Sequence, residues 1–426
     1  MVKNKRNLFI FSFFLTAVFL QPVELYARQF KVATYNVENL FDLETSGNEY
    51  PEYAPNGIFN WNQKTFNIKI KNISKVLKDL NADIVILQEI ESEKALLSLL
   101  KALKNNSVSY NYRFISSEKQ NAIKCAVISK FPFKNTAEIR IKNKALRNIL
   151  KTVIEVEDKQ IVIYANHWKS KHGPEDMRVQ AAEALQNDIK KLTPFTDYIV
   201  IGDFNSNYDE YLTFKNTAEL NNTKGITGIN HILKTISGSK PADQHTVSAS
   251  ETLKYNLWLE LPPDQRWSYK FKNNNETPDS IIIGPGLFDN KGISYLDDSF
   301  NRFAPNYLFK NNRIFRWQRS QNGHGSHTGS GYSDHLPIYA LFTTEPFVRK
   351  NINYTPLTEN NTETLNINKA SVAQLMNIKG IGKTLAMRIA VGRPYNNIED
   401  LLRIEGIGQK KLNELRKYFK VSKTDK

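Results

Sequence analysis

Short β-branched runs recur along most of this chain, and several are apolar at nearly every position: ADIVILQEI, KCAVISK, DYIVIGDF and DSIIIG. A strand without a polar face has to be covered on both sides, so these runs belong in sheets packed on two faces. Between such runs lie IKIKNISKVLKDL and EKALLSLLKAL, which carry helical spacing, and VEDKQ joins two β-branched runs of KTVIEVEDKQIVIYANHW as a hairpin. Interleaved strands and helices predict an α/β protein. At 426 residues the chain has room for that domain and a smaller second one.

The strand ends are polar in a consistent way. Asn36 stands in TYNVENLFD, Glu89 in ILQEIE, His167 in YANHWKSK, Asp203 and Asn205 in IGDFNSN, and Asp334 and His335 in YSDHLPI. Each can project from the same rim of a sheet. Taken singly, a carboxylate or amide after a strand is an ordinary turn former.

As a set they resemble the endonuclease/exonuclease/phosphatase superfamily, which includes pancreatic-type deoxyribonuclease, abasic-site endonucleases, inositol-phosphate phosphatases and bacterial sphingomyelinases. The resemblance spans roughly residues 30–342 and rests on N-V at 36–37, Q-E at 88–89, N-H at 166–167, G-D-F-N at 202–205 and S-D-H at 333–335. It implies a four-layer α/β/β/α sandwich of the deoxyribonuclease type and phosphodiester hydrolysis, with 5′-phosphate ends on the deoxyribonuclease branch. It also implies that Asp279, ahead of the strand in TPDSIIIG, pairs with His335 and holds its tautomer. His167 is left without an assigned acidic partner, since between Tyr110 and Gln120 only Glu118 is available.

The residue types suit that chemistry on physical grounds. Phosphodiester cleavage needs charge neutralisation on the phosphoryl oxygens, an activated water in line with the leaving oxygen, and a stabilised leaving alkoxide. Glu89 is the best metal ligand, with Asn36 beside it and Asp334 as a third contact, and hard oxygen ligands suit Mg²⁺ or Mn²⁺. Asp203 would orient or deprotonate water, Asn205 and His167 would donate to the phosphate, and His335 would act as acid/base or phosphate-polarising group. Either Asp203 or His335 can be the base. Lys169, Lys171 and Arg178 follow His167 and can contact phosphates or form a solvated helix start. His324 and His327 in NGHGSHTGSGYSDH have spacing that invites a second metal, whereas the Gly and Ser around them favour a lid.

Near the end, IKGIGK at 378–383 returns as IEGIGQ at 404–409. A Gly-Ile-Gly turn between helical stretches lets backbone N–H groups approach a phosphate closely. The segment resembles the tandem helix-hairpin-helix domain of bacterial competence DNA receptors, which implies sequence-independent backbone contacts from Gly380, Gly382, Lys383, Gly406, Gly408 and Lys410. Ile381 and Ile407 would pack inward. Between Leu365 and Lys420 stand 11 Lys/Arg and 4 Asp/Glu, a balance of 11 − 4 = +7 within a chain of formal charge +15. Such a concentration of positive charge fits DNA.

The expected organisation is therefore a leader at 1–27, a catalytic domain at 28–345, a linker at 346–364 rich in Asn, Thr and Pro, and an all-α helix-hairpin-helix domain at 365–421. Lys3, Lys5 and Arg6 precede an apolar run from Leu8 to Leu20 that is shorter than the ~20 residues of a membrane span. It reads as a secretory signal cleaved after Ala27, placing a mature protein from Arg28 in the periplasm or outside the cell, with no membrane attachment. Cys125 is the only cysteine, which excludes an intramolecular disulfide and a lipoprotein anchor and suits a buried core thiol. The leading expectation is an exported, metal-dependent DNA endonuclease. A sphingomyelinase-like phosphodiesterase acting on lipid headgroups and a catalytically inactive DNA receptor are the alternatives.

Overall fold

The computed structural model describes residues 28–349 apart from 215, 216 and 273, and residues 364–421 apart from 369, 371–374, 376, 377, 379, 383, 384, 387, 390, 391, 394 and 405. The expected leader, most of the expected linker and Lys383 lie outside the described residues. None of the described helices is long and apolar enough to cross a membrane.

Two mixed sheets face each other. In the first, β1 (Gln29–Leu40) lies parallel to β2 (Ile84–Ile90) after a crossover through α1 (Gln63–Leu80), and β2 continues antiparallel to β4 (Lys124–Ser129), which pairs with β3 (Tyr112–Ile115). In the second, β7 (Lys159–His167) lies parallel to β8 (Tyr198–Asp203) after a crossover through α3 (Glu175–Ile189), with β6 (Ile149–Val156) and β5 (Phe133–Ile139) beyond β7. The expected hairpin is the β6–β7 connection. Val156 pairs with Lys159 across it, and Glu157 takes the left-handed conformation at φ 59° that a tight hairpin turn requires.

Side-chain alternation sorts the core into layers. Val32, Ile84, Ile86, Ile199, Ile201, Ile281 and Ile283 share one cluster between the sheets. Their neighbours Ala33, Val85 and Leu87 face outward onto Ile70, Ile73 and Leu77 of α1 and Leu96 and Leu99 of α2 (Glu93–Asn105). On the far side, Tyr198, Val200 and Ile282 pack against Ala181, Ala182 and Leu185 of α3. Strands covered on both faces thus explain the nearly continuous apolar runs, and the result is the four-layer α/β/β/α sandwich. Cys125 is buried between the sheets.

Each parallel pair delivers its two C-terminal ends to one rim. The strand Asp279–Ile283 runs antiparallel to β8 and sets Asp279 opposite Asp203. The strand Ile338–Thr343 runs antiparallel to β1, with Ile338 opposite Thr34, so His335 enters from that rim as well.

The tail has its own core, in which Ile378, Ile381, Leu385, Ile404, Ile407 and Leu412 are buried together. Leu365–Asn366 pairs in parallel with Phe419–Lys420, tying the two ends of the module. Both isoleucines of the glycine turns point inward, as expected.

Candidate active site

The rim opens into a cavity of about 760 Å³ lined by Glu89, His167, Asp203, Asn205, Asp334 and His335, among others. Asn36 and Asp279 lie buried beneath them.

At its centre is a hydrogen-bonded histidine. His335 Nδ1 lies 2.8 Å from Asp279 Oδ2, which also accepts from the Ser268 hydroxyl at 2.6 Å. The carboxylate therefore fixes Nδ1–H and leaves Nε2 as the working nitrogen, the tautomer following from the partner. Burial opposes a charge on His335, but the Asp279 carboxylate and its hydrogen bond outweigh burial and hold the imidazole well above its ordinary range. The Tyr269 ring packs on it at 4.8 Å between centroids. Ser333 buttresses the turn, donating to the Asn36 carbonyl at 2.7 Å and accepting from the His335 N–H at 3.1 Å.

Beside it is a nest of buried carboxylates. Asn36 Nδ2 donates to Glu89 Oε1 at 3.1 Å and to Asp203 Oδ2 at 3.0 Å, so one amide spans the two sheets. Asp203 Oδ1 accepts the Asn205 backbone N–H at 2.8 Å, and Asn205 Nδ2 donates to the Trp168 carbonyl at 3.1 Å. Burial lifts Asp203 to about 6 against the attraction of His335. Burial, then the Asp334 carboxylate, raises Glu89.

His167 behaves oppositely. Burial, then Arg147 and His335, hold it well below the usual imidazole range, so its Nε2 approaches to Asp203 at 3.7 Å and Glu89 at 3.9 Å are contacts of a neutral ring rather than ion pairs. Among the described residues its buried Nδ1 has no hydrogen-bond partner, and Glu118 instead accepts the Asn148 N–H at 3.0 Å.

Part of this site lies outside the residues expected from sequence. Glu38 and Asn39, in the same TYNVENLFD stretch as Asn36, line the cavity from a bulge between β1 and β2. Arg316 donates to Glu38 Oε1 at 2.8 Å and reaches Asp334 Oδ2 at 3.2 Å. Burial, then Asp334, raises Glu38 to about 7, opposed by Arg316. Lys69, fully buried, donates to the Glu38 carbonyl at 2.9 Å, and burial brings it down to about 8. Arg147, ahead of β6, also lines the cavity, with Nη1 3.3 Å from the Trp168 carbonyl.

Two expectations need correction. Arg178 cannot touch a phosphate: it is fully buried, its Nη1 donates to the carbonyls of Lys169, Ser170 and Gly173, and its Nε donates to Glu175 at 2.7 Å. Lys171, by contrast, does line the cavity, paired with Glu210 at 3.1 Å. His327 holds no second metal, because Trp317 Nε1 donates to its Nδ1 at 2.8 Å and its Nε2 lies 2.8 Å from the Glu52 carbonyl.

A divalent cation fits the nest. Burial and then the nearby Asp334 carboxylate raise Glu89, Asn36 lies against its Oε1, and among the described residues the buried Asn39 side-chain oxygen beside it has no partner. Asp203, Asp279 and His335 also offer ligand atoms within 4.8 Å of one another. Within the trio Asp279 Oδ2 already receives His335 and Ser268, whereas its buried Oδ1 has no hydrogen-bond partner among the described residues.

In the tail, Gly380 and Gly406 take φ of 89° and 97°, while Gly382, Gly408 and Lys410 are exposed beside them.

Residues 31–344 match the family described as Endonuclease/Exonuclease/phosphatase, and residues 360–420 match the helix-hairpin-helix motif. A deoxyribonuclease of Thioalkalivibrio sp. (strain K90mix) is 34% identical over 84 residues, covering 20% of this chain and 23% of that protein, so the match spans about a quarter of the relative. Similar solved structures include truncated Caenorhabditis elegans TDP2, at 14% identity over 74% of this chain and 97% of that one, with a TM-score of 0.43. Another is the endonuclease/exonuclease/phosphatase of Beutenbergia cavernae, at 12% identity over 75% and 72%, with a TM-score of 0.43.

Proposed function

The chain belongs to the endonuclease/exonuclease/phosphatase family, and on that premise we propose that it is an exported, divalent-metal-dependent nuclease that hydrolyses DNA phosphodiester bonds without reading sequence. One observation carries the reading: His335, its Nδ1 held by Asp279, faces the same cavity as the carboxylates of Glu89, Asp203 and Asp334.

The roles follow from the environments. His335, kept charged by Asp279, polarises the phosphate through Nε2 and protonates the leaving alkoxide. Asp203, raised by burial and held in place by the Asn36 amide and the Asn205 N–H, accepts the proton of the attacking water. Of the two alternatives for the base, these environments favour Asp203. Neutral His167 and the N–H of Asn205 not bonded to Trp168 donate to the phosphoryl oxygens, and Arg147 adds positive charge at the cavity wall. Glu89, Asn36 and Asp334 would hold Mg²⁺ or Mn²⁺, which supplies charge neutralisation on those oxygens when bound.

The tail supports DNA over a lipid headgroup. Two helix-hairpin-helix turns with exposed glycines suit a polynucleotide backbone, and they supply the grip while the rim supplies the cut. The leader places the enzyme in the periplasm or outside the cell.

The deciding experiment takes protein recovered outside the cytoplasm, sequences its first residues, and assays nicking of supercoiled plasmid with Mg²⁺, with Mn²⁺ and with EDTA. A start at or near Arg28 and metal-dependent nicking are expected. An intact Met1 removes export; DNA bound but never nicked favours the receptor; hydrolysis of sphingomyelin vesicles with intact plasmid favours the lipid phosphodiesterase.

A further inference from the structure

One wall of the cavity is a hairpin that the chemistry above does not use. The strands Tyr269–Phe271 and Asn274–Glu276 pair antiparallel, and Tyr269 forms a bridge to His335, anchoring the hairpin to the histidine itself. Tyr269 and Phe271 are two residues apart on one strand, so they share a face, and Phe271 stands roughly 7 Å further along it. Both line the cavity. Tyr269 is occupied, its ring packed on His335 at 4.8 Å, whereas Phe271 keeps 49% of its surface exposed. Apolar surface of this size facing an aqueous cleft gains by being covered.

The surroundings of Phe271 narrow what covers it. Lys272 Nζ lies 5.3 Å from its ring centroid, and Lys270, on the opposite face of the strand, lies 4.7 Å from the Trp267 ring. An aromatic face with positive charge beside it, one pleat away from the group that polarises a phosphate, matches a nucleotide: phosphate at His335, flat base beyond it. Aromatic stacking on a base tolerates any sequence, because every base has a π-face.

We infer that Phe271 is a stacking platform for the nucleobase next to the scissile phosphate, and that the enzyme consequently prefers DNA whose base there is unpaired or easily unstacked over continuous duplex. The inference rests on the nuclease reading and adds a substrate class to it. In continuous duplex that base is already stacked between its neighbours, so Phe271 gains a partner only where DNA is single-stranded, frayed or gapped.

The test uses the full-length protein, Phe271→Ala and Phe271→Trp, with short oligonucleotides carrying 2-aminopurine. Fluorescence in EDTA reads stacking without cleavage. The parent and the Trp variant should quench 2-aminopurine at one position of a single strand, and the Ala variant should not. With Mg²⁺, Phe271→Ala should raise KM for the single strand about tenfold with kcat little changed. It should leave KM unaltered for a strand carrying an abasic residue at that position, where there is nothing to stack on. Equal quenching by parent and Ala variant, or an equal KM change on natural and abasic strands, overturns the inference while plasmid nicking leaves the nuclease reading standing. Loss of quenching in Phe271→Ala without cleavage of any DNA by the parent upholds stacking and removes the nuclease reading instead.

Discussion

The catalytic rim and the glycine turns of the tail both take the chain through positive φ, and they do so with opposite residue types. On the rim the residues are Glu38, Asn39, Glu89 and Asn205, at φ of 53°, 62°, 66° and 49°. In the tail they are Gly380 and Gly406. A side chain held in the left-handed region costs on the order of 1–2 kcal/mol, and a glycine escapes that cost. The rim tolerates it because each side chain has work there and neighbours hold it: the Asn39 N–H donates to Glu89 Oε2 at 2.9 Å, and Trp168 receives the Asn205 amide. Strain gathered at a cluster of functional groups is the usual pattern for a site whose geometry matters more than its stability. In the tail no side chain is wanted. A Cβ at Gly382 or Gly408 would meet nothing within 4 Å, so internal packing does not demand glycine at either position. On the DNA-gripping reading the demand comes from the phosphate that approaches from outside.

The sharpest way to break this contrast is to remove chemistry from the rim without disturbing its packing. His335→Ala deletes the proton donor, and Glu89→Gln keeps the shape of a strained residue while removing its charge. Each should lower plasmid nicking by roughly 10²- to 10³-fold, the loss expected for a group that stabilises a transition state. Thermal melting of Glu89→Gln should stay near that of the parent, whereas His335→Ala should melt lower but cooperatively, because it leaves the buried Asp279 carboxylate without its partner. Nicking within a few-fold of the parent by either variant would show that these residues are structural and that the chemistry lies elsewhere.

Removing the tail at residue 364 comes next in size. Its core of Ile378, Leu401, Leu412 and their neighbours is separate from the three clusters of the sandwich, so the shortened chain should fold and keep its rim. Turnover on a saturating short oligonucleotide should change by less than about twofold, while binding of long duplex weakens. The log–log salt dependence of that binding should flatten by roughly one unit for each phosphate that the tail no longer neutralises. An unchanged salt slope would mean that the tail does not grip DNA, and a protein partner would then better explain it.

The same contrast explains what could be foreseen. The layers were legible because strands buried on both faces must be apolar at consecutive positions, as in Ile281, Ile282 and Ile283. The rim residues were legible because each adjoins such a run. The Asp279–His335 pair joins residues 56 positions apart, and only the family resemblance linked them. Arg316 and Glu38 are 278 residues apart, with Arg316 in a loop that has no periodicity to read, so nothing local marked the clamp. Arg178 was misread because a basic residue after a histidine looks like a phosphate ligand. The carbonyls of residues 169, 170 and 173 claim that guanidinium through loop geometry, which composition does not reveal. At His327 the spacing from His324 that invites a metal says nothing of Trp317 packed against it.

The smallest effect tests the tail turns one atom at a time. The Gly382 and Gly408 carbonyls accept from the N–H of Ala386 and of Leu412, both at 2.9 Å. Gly408 is the N-cap of the helix Gln409–Leu415, a position where alanine is worse than glycine by a few tenths of a kcal/mol or more. Alanine also restricts the unfolded chain, which returns about 0.4–1 kcal/mol where the backbone conformation is compatible. The two effects nearly cancel, so Gly382→Ala and Gly408→Ala should melt within a few degrees of the parent. A methyl group there nevertheless stands between a phosphate and the backbone N–H groups. Losing one such charge-assisted hydrogen bond corresponds to about tenfold in affinity for long duplex. Calorimetry and anisotropy on the same samples separate the two quantities. Weaker binding at unchanged stability means that glycine is kept for the ligand. Unchanged binding at reduced stability means that it is kept for the helix cap, and the contrast between rim and tail then reduces to one of backbone geometry alone.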